Sequence, residues 1–205
     1  MKIIECTQGT PEWNMARIGM ITASRFDDVK ALNKTRDGYG NTRYDYMLQL
    51  KAERRFNRLM PNKRTTAAME RGTQLEAEAR EKYEADYEVE VQQVGFIALD
   101  DWIGCSPDGL IGEDGLLEIK CPLETTFIKH EETGFLVGDY KYQTQGQLWV
   151  SGRQWCDFEV YCQGEKPIVT RLYRNEEYIK MLETEVNKFK EELQKYIENY
   201  QKAGF

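Results

Sequence analysis

The chain is read as an α/β protein, a central mixed β-sheet flanked by helices with a long C-terminal helix. Three observations carry this reading. Helical patterns dominate residues 10–87, short β-rich runs take over between 91 and 173, and large apolar residues recur at helical spacing over 176–202.

The elements follow in order. Thr10-Pro11-Glu12 is a helix start, with Thr as N-cap, Pro at the first helical position and a carboxylate in the first turn. Ser24-Arg25-Phe26-Asp27 reads as a second start, with Ser24 capping. The polar, basic stretch 33–41 is an exposed loop, and helices are expected over about 43–58 and 66–87. In the latter, Ala68, Gly72, Leu75, Ala79 and Tyr83 recur at steps of three and four. Strands are expected at 91–99, 104–106, 115–121, 156–162 and 168–173, with helices around 123–133 and 140–151 between the third and fourth. The clean alternation over 156–162 predicts a strand with one covered face. In the last segment Tyr178, Leu182, Val186, Phe189, Leu193, Tyr196 and Tyr200 form a near-heptad stripe, suited to packing on its own domain or to a coiled-coil partner. With no repeat, low-complexity tract or linker, residues 1–205 read as a single domain.

Composition narrows the class. Of 205 residues, 40% are hydrophobic and 31% charged, which suits a soluble globular protein. No apolar run approaches the ~18 residues of a membrane helix. The first ten residues carry Lys2 and Glu5 and lack the pattern of a signal peptide. Five cysteines without a CxxC pair, beside the single His130, fit free thiols in a reducing cytoplasm better than disulfides or zinc. The net charge of −7 disfavours simple nonspecific nucleic-acid binding. Its distribution is uneven: residues 1–75 hold 14 Lys+Arg against 8 Asp+Glu, whereas 76–205 hold 14 against 27. The first part can face phosphates, unless the two halves mix in space.

The chemistry concentrates in Ser106-Pro107-Asp108-Gly109 and Leu116-Leu117-Glu118-Ile119-Lys120-Cys121-Pro122. Asp108 sits at a turn where Gly109 lets the chain bend. Glu118 and Lys120, two apart on a strand, leave the same face, and a hairpin would bring Asp108 beside them at a sheet edge. Close carboxylates resist joint ionisation, and a divalent cation relieves the conflict. Hard carboxylate oxygens suit Mg²⁺, with Mn²⁺ the other candidate. The lysine can orient or deprotonate a water for attack on phosphorus. The same pieces are also ordinary structure, a Pro-Asp-Gly turn and an alternating strand. Pro-Asp, a short gap and Glu-x-Lys is the signature of restriction-endonuclease-like nucleases.

The surroundings sharpen this. Trp13 with Arg17, Ile18-Gly19-Met20-Ile21-Thr22-Ala23-Ser24, Arg71-Gly72-Thr73-Gln74-Leu75-Glu76, Cys105-Ser106-Pro107-Asp108-Gly109, Leu117-Glu118-Ile119-Lys120-Cys121-Pro122 and Gln143-Thr144-Gln145 occur in one order. In these pieces the chain resembles the phage lambda exonuclease family, the YqaJ-like viral recombinase nucleases, over nearly its whole length. The resemblance implies a restriction-endonuclease-like fold and a Mg²⁺-dependent 5′→3′ exonuclease on double-stranded DNA ends. Such an enzyme releases mononucleotides and leaves a 3′ single strand for an annealing protein. The resemblance further implies that Asp108, Glu118 and the carbonyl of Ile119 ligate metal, that Lys120 positions the water, and that Glu76 and Gln143 stand at the reacting centre. Arg17 and Ser24, joined by Ser106, would hold the 5′-phosphate, a guanidinium and hydroxyl at a helix start being suited to it. Lys34, Arg36 and Arg43 flank the loop and are candidate duplex contacts. A toroidal homotrimer, in the cytoplasm of a bacterial host carrying the phage or prophage and without a membrane role, completes the expectation. An endonuclease of the same chemistry and a catalytically silent DNA-binding recombination module are the alternatives.

Overall fold

The computed structural model describes residues 1–35, 38–61 and 67–203, with 67–70 described in backbone only. Its elements are β1 (Lys2–Ile4), α1 (Pro11–Arg17), β2 (Ile21–Thr22), a 3-10 turn (Ala23–Arg25), α2 (Phe26–Val29), α3 (Asn41–Phe56), α4 (Ala67–Tyr87), β3 (Val91–Gln92), β4 (Phe96–Ala98), β5 (Ile103–Cys105), β6 (Gly109–Ile111), β7 (Gly115–Lys120), α5 (Glu124–Thr133), α6 (Phe135–Asp139), α7 (Lys141–Ser151), β8 (Trp155–Val160), β9 (Ile168–Tyr173) and α8 (Glu176–Lys202). The expected mixed α/β architecture is present, with the strands in two hydrogen-bonded sets. One runs β1-β4-β5-β2 and the other β3-β6-β7-β8-β9. β7 and β8 are parallel, Glu118 opposite Phe158, while β6 and β9 run antiparallel to their neighbours.

Helices cover both faces of the larger sheet. On one side Ala79 and Tyr83 of α4 pack with Val91, Ile111, Leu117 and Ile119. On the other, Leu148 and Val150 of α7 pack with Leu116 and Cys156, in a core that extends to α2, α3 and α8. Gly146 permits a close approach, because a Cβ there would stand 2.5 Å from the Phe26 ring.

The long C-terminal helix is capped by Asn175, whose side chain accepts from the Tyr178 amide at 2.9 Å. Ile179, Leu182, Val186, Phe189 and Leu193 are buried in the main core, and Phe189 stacks on Tyr46. Each such side chain contributes about 1.5–3 kcal/mol of transfer free energy. Of the two readings of the stripe, this inner face packs on the chain itself.

Several expectations are corrected. The run 91–99 is two strands, because between Gln92 and Phe96 the chain leaves one sheet for the other. β8 is buried on both faces rather than one, because α4 covers the side on which Asp157 and Glu159 stand. The Glu118–Lys120 strand is the middle of five, not a sheet edge. Gly109 has no positive φ and makes no sharp bend. It is required because a Cβ would meet Val91 Cγ1 at 2.1 Å. Ser24 lies inside the 3-10 turn and caps no helix. The position before α2 is Arg25, which makes no side-chain cap bond. Strands β1, β2 and β6 are too short to carry a periodic pattern. Among the described residues no helix is long and apolar enough to cross a membrane.

Candidate active site

The Pro-Asp element acquires its geometry at the end of the β6–β7 hairpin. The last registered pair is Gly109 with Leu117, and the Asp108 amide still donates to the Leu117 carbonyl at 3.1 Å. Beyond it the Asp108 carboxylate accepts from the Ile119 amide at 2.7 Å. A side chain thus takes over where the backbone ladder ends, and Asp108 is pinned to the strand carrying Glu118 and Lys120.

Glu118 is 1% exposed, and both its oxygens are engaged. Oε1 accepts from Lys120 Nζ and from Gln143 Nε2 at 2.5 Å each, and Oε2 accepts from Gln147 Nε2 at 2.6 Å. Gln143 and Gln147, one helical turn apart on α7, therefore grip one carboxylate from above the sheet. Lys120 also lies 4.6 Å from the centre of the Tyr140 ring. Arg80, one turn after Glu76 on α4, donates Nε to the Asp108 carbonyl at 3.3 Å.

The electrostatics express crowded acids. Burial, then Glu118 and Glu76, raise the Asp108 carboxyl well above the usual range, against Lys120 and the Ile119 amide. Burial also raises Glu76, with Lys120 opposing and Glu118 adding. Burial alone would lower Lys120, but Glu118 and Asp108 reverse this and leave it raised, an ammonium at neutral pH.

Asp108, Glu118, Lys120, Glu76 and Gln143 line one cleft of about 890 Å³, and Arg17, Ser24 and Ser106 line the same cleft. The Arg17 guanidinium stacks on Trp13, 4.0 Å from the ring centre. Burial lowers its pKa, with Tyr46 and Glu53 partly offsetting this. Stacking occupies the flat face and leaves the N–H edge for an anion. Ser106 donates to the Gly95 carbonyl at 2.8 Å and accepts from Trp13 Nε1 at 2.9 Å, so one indole positions both the serine and the arginine. Ser24 Oγ is 3.3 Å from Thr22 Oγ1.

Lys34 and Arg43 do not join them. Lys34 is exposed and does not line the cleft, and Arg36 lies outside the described residues. Arg43, expected as a duplex contact, is 6% exposed and ties α3 to α8, donating to both oxygens of Glu192 at 2.9 and 3.1 Å. It stacks on Tyr39 and Phe189, because its helical position faces the core. Sequence reasoning missed Gln147 and Arg80 as parts of the centre. Their i+4 spacing from Gln143 and Glu76 was the available signal.

The donor set fits a hard divalent cation. Among the described residues no group of three or more His, Cys, Asp or Glu side chains forms a ready-made metal cluster. Asp108, partly buried, and Glu118, buried, are two crowded carboxylates, with the backbone of Ile119 between Glu118 and Lys120. Mg²⁺ commonly takes one or two protein carboxylates and completes its shell with water and phosphate.

The chain is similar to known nucleases. Residues 12–154 match the model of the YqaJ-like viral recombinase domain. An alkaline exonuclease from Laribacter hongkongensis is 38% identical, with a TM-score of 0.84 over 95% of this chain and 98% of that one. The same enzyme in complex with dAMP aligns with a TM-score of 0.83 at 37% identity, over 95% and 98%. A phage-related exonuclease from Haemophilus somnus shares the fold at 11% identity, with a TM-score of 0.69 over 88% of this chain and 96% of that one. No curated protein sequence is significantly similar.

Proposed function

The chain belongs to the YqaJ-like viral recombinase family of lambda-exonuclease-like nucleases, and from that premise we propose that it is a Mg²⁺-dependent 5′→3′ exonuclease acting on double-stranded DNA ends. It releases mononucleotides and leaves a 3′ single strand for a phage-type annealing protein. The observation that carries this reading is the single cleft shared by the Asp108–Glu118–Lys120 centre and the Trp13-stacked Arg17. An arginine beside a hydrolytic centre suits an enzyme that holds a terminal phosphate while the adjacent bond is cut. The dAMP complex of the Laribacter enzyme supports a mononucleotide product.

In this reading Asp108 and Glu118, with the carbonyl of Ile119, hold the Mg²⁺, or Mn²⁺ in its place. When bound, the ion polarises the phosphate and acidifies water. Gln143 and Gln147 keep Glu118 in one orientation, and Asp108 is kept in place by the Ile119 amide. Lys120 orients the attacking water and offsets charge on the phosphorane oxygens. Glu76 and Arg80 form the α4 wall, while Arg17, Ser24 and Ser106 receive the 5′-phosphate. A homotrimeric ring in the cytoplasm of a bacterial host is part of the same proposal, since a ring retains its track without a strongly basic surface.

The test is linear duplex labelled separately at each 5′ and 3′ end, incubated with Mg²⁺ beside closed circular duplex. Loss of the 5′ label as mononucleotide, with the circle untouched, is the expected result. Cleavage of the circle would favour an endonuclease, and no cleavage of either a silent binding module.

A further inference from the structure

One face of α4 lines the cleft, with Thr73, Glu76, Ala77 and Arg80 at helical spacing. Arg80 is partly buried there, and its guanidinium is held at one corner. Nε donates to the Asp108 carbonyl at 3.3 Å, while among the described residues neither Nη nitrogen has a hydrogen-bond acceptor. Gln8 Nε2 donates to the preceding carbonyl, that of Pro107, at 2.8 Å. Two side chains from distant segments thus grip successive carbonyls of the turn that carries Asp108. The Nη edge of Arg80 is left for something in the cleft.

The charges there call for it. Lys120 is committed to Glu118, its Nζ donating to Oε1 at 2.5 Å. Burial raises the Glu76 carboxyl, and Lys120 and Arg80 are the cations that oppose this. Asp108, Glu118 and Glu76, when ionised, exceed Lys120 by two negative charges, which a divalent ion only cancels. A phosphodiester brings one further negative charge, and Arg80 is the cation beside Asp108 that meets it. Resting on the exonuclease reading above, we propose that Arg80 is a catalytic residue whose Nη edge donates to a nonbridging oxygen of the phosphate being cut. Water oxygen bonds to phosphorus as the bond to the 3′ oxygen of the departing nucleotide breaks. The water loses a proton and the 3′ oxygen gains one, while Arg80 exchanges none. It offsets the charge that builds on the nonbridging oxygens. A guanidinium can hold a carbonyl with Nε and a phosphate with Nη at once, in a fixed fork that an ammonium lacks.

The experiment follows release of the first nucleotide, in a single turnover with Mg²⁺, from 5′-phosphorylated linear duplex by the full chain. One duplex has an ordinary phosphate at the first bond. Two others carry sulfur in place of one or the other nonbridging oxygen, as separate diastereomers. Arg80→Gln should slow cleavage of the ordinary duplex about a hundredfold or more, with the Mg²⁺ requirement unchanged. On one diastereomer that penalty should shrink about tenfold, because sulfur has already weakened the contact, and on the other it should persist. Arg80→Lys, which keeps the charge and loses the fork, should show the same pattern at smaller size. Near-normal rates in Arg80→Gln would overturn the proposal. So would equal penalties on all three duplexes, or a loss explained by a raised Mg²⁺ requirement, since Arg80 would then act only by holding Asp108. Failure of the exonuclease reading looks different: the unmutated protein would leave every linear duplex intact or would cut a closed circle, and both readings would fall.

Discussion

Gln147 donates from Nε2 to Oε2 of Glu118 at 2.6 Å, with each residue only 1% exposed. The amide shows the carboxylate one donor and fixes where its second oxygen can point. Gln147→Leu removes that donor and leaves a buried oxygen unmatched. The concentration of Mg²⁺ for half-maximal hydrolysis should rise about tenfold or more, as for other partners of metal-binding carboxylates. An unchanged metal dependence would remove Gln147 from the centre.

Asp108→Asn should abolish hydrolysis yet stabilise the metal-free protein. Burial, with Glu118 and Glu76, raises the Asp108 carboxyl above its unfolded value, so the folded state holds the proton more tightly. Its contribution to stability is complete below the unfolded carboxyl pKa and is lost as pH rises through the raised folded value. At neutral pH, above the unfolded value, the acid therefore opposes folding, and asparagine keeps an oxygen for the Ile119 amide. In chelator, the thermal midpoint at neutral pH should rise by a few degrees, roughly 1 kcal/mol. Glu118→Ala and Lys120→Ala should likewise be inactive. Near-normal rates in any of the three at saturating Mg²⁺ would contradict the assigned centre.

Arg17→Ala should slow digestion of 5′-phosphorylated duplex and erase the preference over 5′-hydroxyl ends. A charge-assisted contact contributes about 1.5–3 kcal/mol, or roughly ten- to a hundredfold in rate. Equal rates of the unmutated protein on both ends would remove this pocket from the mechanism.

Glu159 makes a separate pH prediction. Burial, reinforced by Asp86 and opposed by Lys82, raises its carboxyl to about 8. An unfolded glutamate titrates at about 4.3. Stability from this group is complete below that value and is lost as pH rises through about 8. Glu159→Gln should gain about 1–3 kcal/mol over the wild type near pH 9 and flatten the decline. Parallel urea midpoints across this range in both proteins would show that Glu159 does not titrate as assigned.

The ring is tested by mass. Light scattering at micromolar concentration should give three times the 24.0 kDa of the chain. A trap duplex added after the reaction starts should leave ongoing digestion intact. A monomeric mass with loss of activity on adding the trap would exclude the ring and leave the nuclease assignment standing.

Local patterns in the sequence were enough for the helix capped by Thr10, the apolar stripe of α8, and a face shared by Glu118 and Lys120, because periodicity and caps act within a few residues. The pairing of Asp108 with Glu118 was also legible, since a short hairpin leaves few ways to close. The partners that hold these groups come from elsewhere in the chain. Gln147 meets Glu118 only because α7 crosses β7. Arg43, basic and near a loop, is turned inward by the fit of α3 on α8. The alternation of β8 suggested one wet face, yet α4 covers it and buries Asp157 and Glu159. Whether a polar side chain meets solvent, a guanidinium or nothing depends on which distant element lies over it. Local spacing carries no information about that, and long-range packing alone decided it.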